Sequence, residues 1–157
     1  MKKISVMIVD DEKLVLEDLS TIVDWEAHGF EIVATAVNGK QALAKFRQYR
    51  PQVIFTDIKM PFMDGIELIK QIREMDNQVQ IIILTAYEDF NYAKSAIQHG
   101  IMDYVIKSAI DSQSASNLLR HIAAVIVKQG QVLDILKEKQ ISDFFYTDEN
   151  DKGPVEV

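Results

Sequence analysis

The chain of 157 residues has no cysteine, few prolines and glycines, and fewer basic than acidic side chains. The absence of cysteine excludes disulfide bonds and thiolate metal sites. With 17 Lys and Arg against 24 Asp and Glu, the formal net charge is -7. This balance disfavours nonspecific binding to nucleic acid, because such affinity comes mainly from clustered cations. We therefore expect any contact with DNA to be made by another domain.

Long hydrophobic runs are also missing. The first apolar run, Ile4 to Val9, follows two lysines but ends at Asp10, which is too early for a signal-peptide core of about 7–15 residues. No other stretch approaches the roughly 20 apolar residues that cross a bilayer. We expect a soluble, cytoplasmic protein that does not contact membranes.

Short apolar segments alternate with segments of helical spacing. Five β-branched runs predict strands at residues 4–9, 31–36, 53–55, 79–84 and 104–106. Their lack of polar alternation is typical of strands buried on both faces of a parallel sheet. Between them, apolar side chains recur at helical intervals. The pattern predicts an α/β fold, a doubly wound five-stranded parallel sheet with helices on both faces.

The C-terminal part contains no further strand pattern. Residues 114–146 have helical spacing, with Gly130 as a position where the helix could kink or split. We predict one domain over residues 1–128, a helical linker or extension over 129–146, and a disordered tail over 147–157. Apolar positions in the extension exceed what packing on the domain requires, which suggests a dimer contact.

Three acidic residues follow two of the predicted strands. Asp10 and Asp11 follow the first strand and Asp57 follows the third. In open α/β sheets, ligands bind outside the carboxyl ends of the strands, and clustered carboxylates repel one another unless a cation lies among them. Oxygen ligands of this kind suit Mg2+. An ordinary alternative is that Asp10 and Asp11 cap the following helix.

Two further polar residues end strands on the same side. Thr85 ends the fourth predicted strand and Lys107 follows the fifth. Each alone is typical of an ordinary strand end. Together with the acids they supply a carboxylate nucleophile, a metal site, a hydroxyl and an ammonium group, the set that phosphoryl transfer requires.

Four motifs resemble one protein family. Val9-Asp10-Asp11-Glu12, the run Thr56 to Gly65, Leu84-Thr85-Ala86 and the run Asp103 to Lys107 are similar to the receiver domain of bacterial two-component response regulators. The resemblance covers residues 4 to about 128. It implies a flavodoxin-like sheet of order 2-1-3-4-5.

The resemblance also implies roles for individual residues. Asp57 would accept a phosphoryl group from a sensor histidine kinase, while Mg2+ would be held by Asp10, Asp11, Asp57 and the backbone carbonyl of Lys59. Phosphoryl binding and switching would fall to Thr85, Ala86, Tyr104 and Lys107. The switched surface would be helix 4, strand 5 and helix 5, available also for a homodimer, and its output would be transcription. The chain itself is expected not to be an enzyme beyond self-catalysed phosphoryl transfer and autodephosphorylation.

Shorter motifs resemble one subgroup of receiver domains. Residues 22–25, 29–30 and 85–93 look like the receivers fused to AraC-type helix-turn-helix domains. Nothing in residues 112–157 resembles such a DNA-binding domain. DNA binding is therefore expected only through a domain absent from this chain, which we interpret as a fragment.

One departure and three rival functions accompany this interpretation. Ser108 follows Lys107 where the family usually has a proline, often cis, so a trans bond and a rearranged loop are expected.

An aspartyl-phosphate phosphatase or phosphotransferase would want a second acid at the Lys59 position. A flavodoxin-like module would need a Gly-rich or Ser/Thr-rich phosphate loop after the first strand. A receiver fold that serves only as a dimerisation module, with weak or no phosphorylation, stays open.

Overall fold

The computed structural model describes residues 2–150, without the side chains of residues 87, 90, 133 and 140–150. The chain divides into two compact units, the first ending at Arg120 and the second beginning at His121. The domain boundaries expected at residues 128 and 146 remain predictions. The first unit contains all five strands and the candidate site.

The first unit is built on one parallel sheet. Its strands are β1 (Ile4–Val9), β2 (Phe30–Ala36), β3 (Val53–Asp57), β4 (Gln80–Thr85) and β5 (Asp103–Ile106). All neighbouring strands pair in parallel in the order β2-β1-β3-β4-β5. The predicted fold class and sheet order are therefore confirmed. The β-branched runs of β3 and β4 suit the centre of this sheet, where both faces are covered.

A helix follows each strand, and two of these helices are capped by side chains at their N-termini. They are α1 (Lys13–Ile22), α2 (Gly39–Tyr49), α3 (Gly65–Met75), α4 (Phe90–Ala93) and α5 (Ser112–Asn150). Asn38 and Asp64 cap α2 and α3, each side chain accepting a hydrogen bond from a backbone amide of the first turn. Gly100 closes the segment before β5 with a left-handed φ of 76°, which glycine adopts without steric strain.

The segment between β4 and β5 differs from the single helix that its spacing predicts. Only Phe90–Ala93 is α-helical, and 3₁₀ turns occupy Tyr87–Asp89 and Lys94–His99. The Ser95 hydroxyl donates to the Tyr92 carbonyl at 2.7 Å, and such side-chain bonds compete with regular helical bonding. A 3₁₀ run of six residues is unusually long, so this segment is held less regularly than the other helices.

The two faces of the sheet are packed differently. On one face, a continuous apolar cluster joins alternate residues of the central strands to α2, α3 and the segment around Ala93 and Ala96. On the other face, the Trp25 ring packs edge-on against Phe55 at 5.4 Å between centroids, and its Nε1 donates to the Leu19 carbonyl. A cavity of about 260 Å³ lies beside Trp25, bordered by β5 and the start of α5.

The second unit continues α5. The helix passes through Gly130 without a break and runs to Asn150, beyond residue 146 where the sequence places its end. The rest of the predicted tail, residues 151–157, lies outside the described residues. Val132, Ile135 and Leu136 are exposed, at the i, i+3, i+4 spacing that puts side chains on one helix face. Within the part of the chain that is described, no helix is both long and apolar enough to cross a membrane.

Candidate functional site

The carboxyl ends of the parallel strands bring the predicted polar residues to one rim of the sheet. Val9 of β1 pairs with Thr56 of β3, so the residues that follow them, Asp10 and Asp57, lie side by side. Asp57 pairs in turn with Leu84 of β4, which places Thr85 just beyond it. Asp10, Asp57 and Thr85 are buried. Carboxylates are seldom buried unless a cation or hydrogen-bond donors accompany them.

Lys107 supplies a cation to the two buried carboxylates. Its Nζ lies 2.7 Å from Asp10 Oδ2 and 3.3 Å from Asp57 Oδ2. A longer contact of 3.7 Å joins it to Glu12 Oε1. The ammonium group thus lies between the two acids and offsets their mutual repulsion.

Backbone groups fix the orientation of both carboxylates. Asp57 Oδ1 accepts a hydrogen bond from the Ile58 amide at 2.8 Å, and Asp10 Oδ1 accepts one from the Glu12 amide at 2.9 Å. Behind Asp57, the Gly65 amide donates to the Ile58 carbonyl at 2.7 Å. A Cβ at Gly65 would collide with the Asp57 carbonyl oxygen and lie 2.8 Å from Ile58 Cα. Glycine is required there because the loop closes directly onto the backbone of Asp57.

Burial dominates the ionisation of the pocket. It raises the pKa of Asp57 to about 7, with a further upward contribution from the charge of Asp10, against the lowering effect of Lys107. Burial likewise raises the pKa of Asp10, although Lys107 opposes this. For Lys107, burial lowers the pKa, but its bond to Asp10 and the charge of Asp57 outweigh burial and raise it. The pocket therefore favours a bound cation, which would lower the energy of the ionised acids.

The donor set at the mouth of the pocket suits a hard divalent cation. Carboxylate oxygens of Asp10, Asp11 and Glu12 all lie within 4.8 Å of one another, and Asp11 and Glu12 are exposed. Hard oxygen ligands with room for water are what Mg2+ prefers. The ligand set expected from the family resemblance consists of Asp10, Asp11, Asp57 and the backbone carbonyl of Lys59. Glu12 lies in this acidic cluster, although it was not among the expected ligands.

The predicted switch residues lie at different distances from this pocket. The Thr85 hydroxyl donates to the Ala86 carbonyl at 3.0 Å, so in this structure it is turned toward the adjacent backbone. Tyr104, on the edge strand, is 42% exposed. The structure therefore brings Asp10, Asp57 and Lys107 into direct contact and leaves the Tyr104 side chain at the surface.

The peptide bond after Lys107 can be compared with the expectation from Ser108. Residues Lys107–Ala109 form a 3₁₀ turn, and there are no cis peptide bonds in the described residues. The expected trans bond is confirmed. The rearranged loop remains a prediction, and the turn places the Lys107 ammonium between Asp10 and Asp57.

A bridge of polar contacts spans the rim beside Asp57. Lys59 Nζ pairs with Asp89 Oδ1 at 2.9 Å and lies 5.8 Å from the centroid of the Tyr92 ring. The Tyr92 hydroxyl donates to Asp64 Oδ2 at 2.7 Å. We call these four residues the rim bridge. Sequence reasoning missed Asp89 and Tyr92, because nothing in their local pattern shows that they face the loop after β3.

Comparisons with known proteins support the same family as the motifs. Residues 6–122 match the family model described as the response regulator receiver domain. An uncharacterized response regulatory protein of Staphylococcus epidermidis is 40% identical over 124 residues, which cover 79% of this chain and 47% of that protein. The chain thus spans about half the length of this curated relative.

Solved structures give the same result for the fold. The receiver (REC) domain of AraT, a response regulator from Geobacillus stearothermophilus, superposes with a TM-score of 0.76 at 32% identity, covering 80% of this chain and 97% of that one. A two-component transcriptional regulator AraC from Clostridium phytofermentans gives 0.72 at 33% identity, covering 81% and 98%. These likenesses confirm the predicted resemblance to receivers of AraC-type regulators.

Proposed function

Because this chain belongs to the response regulator receiver domain family, we propose that it is a phosphorylation switch whose phosphoacceptor is Asp57. The observation that carries the proposal is the Lys107 ammonium held 2.7 Å from Asp10 and 3.3 Å from Asp57. A cation placed there would balance the charge of a phosphoryl group joined to Asp57. The donor would be a phosphohistidine of a sensor histidine kinase.

The chemistry follows from the contacts of the Asp57 carboxylate. An ionised Asp57 oxygen attacks phosphorus as the P–N bond of phosphohistidine breaks, and the imidazole leaves with the bonding electron pair. The Ile58 amide holds one oxygen of the carboxylate, so the group reacts from a fixed orientation. Burial opposes ionisation of Asp57, so the reaction should be faster when a further cation occupies the pocket.

Mg2+ is the cation that we propose for this site. Asp10, Asp11 and Asp57, with the Lys59 carbonyl or Glu12, would hold it, and the ion would supply charge neutralisation of the phosphoryl oxygens. The raised pKa values of Asp10 and Asp57 favour binding of such a cation. We expect Mg2+ to raise the melting temperature of the wild type and to have a much smaller effect on Asp10→Asn.

Incubation with acetyl phosphate and Mg2+, followed by intact-mass measurement, tests the phosphoacceptor. The wild type should gain the mass of one phosphoryl group, and hydroxylamine should remove it, because an acyl phosphate is cleaved where a serine or threonine ester is not. Asp57→Asn should gain nothing, whereas Asp18→Asn, at an exposed acid of α1, should behave like the wild type. A gain that persists in Asp57→Asn, or no gain in the wild type, rejects the proposal.

Transcriptional output is proposed for the whole protein rather than for this chain. The support is the similarity to a two-component transcriptional regulator, together with a net charge of -7, which leaves DNA contact to another domain. Phosphorylation would switch the surface of α4, β5 and α5, where Thr85 and Tyr104 are the proposed moving residues. In a crystal or NMR structure with beryllofluoride and Mg2+, the Thr85 hydroxyl should leave the Ala86 carbonyl and turn toward the fluorides.

A homodimer is the remaining proposal for this chain. Its support is the exposed stripe of Val132, Ile135 and Leu136, together with the exposed side chains of Ile97, in the 3₁₀ turn after α4, and Tyr104, in β5. Light scattering of wild type, Leu136→Asp and Ile97→Asp, with and without acetyl phosphate, distinguishes the two surfaces. A monomeric wild type under both conditions rejects the dimer.

A further inference from the structure

The rim bridge joins the two loops that flank Asp57. One loop, residues 58–64, contributes Lys59 and Asp64, and the segment after β4 contributes Asp89 and Tyr92. The loops are 25 or more residues apart in the chain and meet at two independent polar contacts, of 2.9 and 2.7 Å. Lys59 is two residues from Asp57 and Asp89 is four residues from Thr85, so both loops adjoin the pocket.

Each end of the rim bridge is anchored to the site itself. Asp64 caps α3 through its other oxygen, which accepts from the Glu67 amide at 2.9 Å, and the next residue, Gly65, is bonded to Ile58. On the other side, the Asp89 amide donates to the Ala86 carbonyl at 3.0 Å, the same carbonyl that accepts the Thr85 hydroxyl. The rim bridge therefore connects the backbone next to Asp57 with the backbone next to Thr85.

The four side chains are chemically matched. The Asp89 side chain is only 16% exposed, whereas that of Lys59 is 61% exposed, so a largely buried acid holds the end of an exposed lysine. Bonding to Asp64 raises the pKa of the Tyr92 phenol, which keeps it a hydrogen-bond donor at neutral pH. The Tyr92 ring also faces the Lys59 ammonium, a favourable cation–π contact.

We propose that Asp89 and Tyr92 are positioning residues, which hold Lys59 and the 58–64 loop across the rim of the Asp57 pocket and thereby slow hydrolysis of the aspartyl phosphate. The inference rests on the proposed function. In the hydrolysis step a water oxygen bonds to phosphorus, the bond from phosphorus to the Asp57 oxygen breaks, and the proton of the water passes to solvent. The products are inorganic phosphate and the free carboxylate. Loosening the rim bridge frees the 58–64 loop beside Asp57, so water reaches the phosphorus more often.

Two substitutions test this without removing a group from the pocket. Asp89→Asn removes the charge that holds Lys59, and Tyr92→Phe removes only the hydroxyl that binds Asp64. Their matched controls are Asp18→Asn, which removes an exposed charge of α1, and Tyr49→Phe, at an exposed tyrosine at the end of α2. Each protein is loaded with acetyl phosphate and Mg2+, desalted rapidly, and followed by intact mass as the phosphoryl group is lost.

We expect the rate constant for phosphoryl loss to rise roughly threefold to tenfold in Asp89→Asn and in Tyr92→Phe, the range that loss of one exposed polar contact can produce. Both controls should stay within about twofold of the wild type. Asp89→Glu, which keeps the charge, should restore slow loss relative to Asp89→Asn. A purely structural effect would instead lower the melting temperature and would not be rescued by charge.

The outcomes separate this inference from the function on which it rests. Unchanged or slower phosphoryl loss in both Asp89→Asn and Tyr92→Phe overturns the inference and leaves the phosphoacceptor in place. Equal rates for Asp89→Glu and Asp89→Asn also overturn it. A wild type that gains no mass overturns the proposed function and this inference together.

Discussion

The central strand β3 and the edge strand β5 present opposite kinds of packing. Every residue of β3 is buried, including Asp57, and the loop after it closes on the strand through Gly65. In contrast, β5 has no fully buried residue. The segment before it is largely 3₁₀, and a cavity of about 260 Å³ lies along it.

This difference fits the two tasks of the switch that we propose. A phosphoacceptor at Asp57 would have to be held in one orientation, and the close packing around β3 suits that task. A switching surface has to have a second arrangement within a few kcal/mol of the first. The looser packing around β5 makes such an arrangement accessible, so the contrast predicts that substitutions near β3 are costly and those near β5 are mild.

The largest effect is expected for Gly65→Ala. The added Cβ would collide with the backbone of Asp57 and Ile58, so the loop must shift, and the free energy of unfolding should fall by about 3 kcal/mol or more. Urea denaturation measures this. Gly130→Ala is the control, because nothing lies within 4 Å of its Cβ and alanine is the better helix former by about 1 kcal/mol. A Gly65→Ala protein as stable as the wild type would show that the centre is not closely packed.

Substitution of Arg73 should be costly to stability, unlike other substitutions near β5. Its guanidinium donates to the carbonyls of Val79 and Gly100 at 2.7 Å each and to that of His99 at 3.2 Å, so it ties α3 to the end of the irregular segment. Arg73→Met should lower the free energy of unfolding by about 2–3 kcal/mol, since these are bonds to a charged donor. Arg47→Met, at an exposed arginine, should change it little. Equal loss in both variants would remove this role.

The third prediction concerns pH. The pKa of Asp57 is raised to about 7 in the folded chain, above its unfolded value of about 3.9, so between these values the folded state binds more protons. This group therefore makes wild type less stable as pH rises from about 4 to about 7. Without Mg2+, Asp57→Asn should gain stability relative to wild type across that range, by an amount that grows with pH to roughly a few kcal/mol at neutral pH, since each pKa unit corresponds to about 1.4 kcal/mol. Melting temperatures at pH 4.5 and 7.5 test this; a constant difference contradicts it.

The smallest effect should come from filling the cavity. Ala115→Leu places extra methyl groups into the space beside β5 and should raise the free energy of unfolding by about 0.5–1 kcal/mol. The same change in the closely packed cluster, Ala42→Leu, should lower it by about 1–3 kcal/mol. Opposite signs for the two variants support the contrast, and equal signs contradict it.

Much of the site was predictable because strand ends are readable in the sequence. Asp10, Asp57 and Lys107 adjoin apolar runs, and parallel strands bring their carboxyl ends together, so their meeting follows from the topology. The rim bridge was not predictable. It depends on how Asp89 and Tyr92 are turned by an irregular segment whose spacing predicts an ordinary helix. Side-chain direction there is set by tertiary contacts such as that between Tyr92 and Asp64, which local pattern does not contain.

Trp25 has a consequence for how this molecule can be observed. It is the one tryptophan of the chain, its ring lies against Phe55 of β3, and it borders the cavity along β5. Its emission therefore originates at a single position that touches both the closely packed centre and the loosely packed edge. Tryptophan fluorescence should report rearrangement between these regions in real time, without an attached dye.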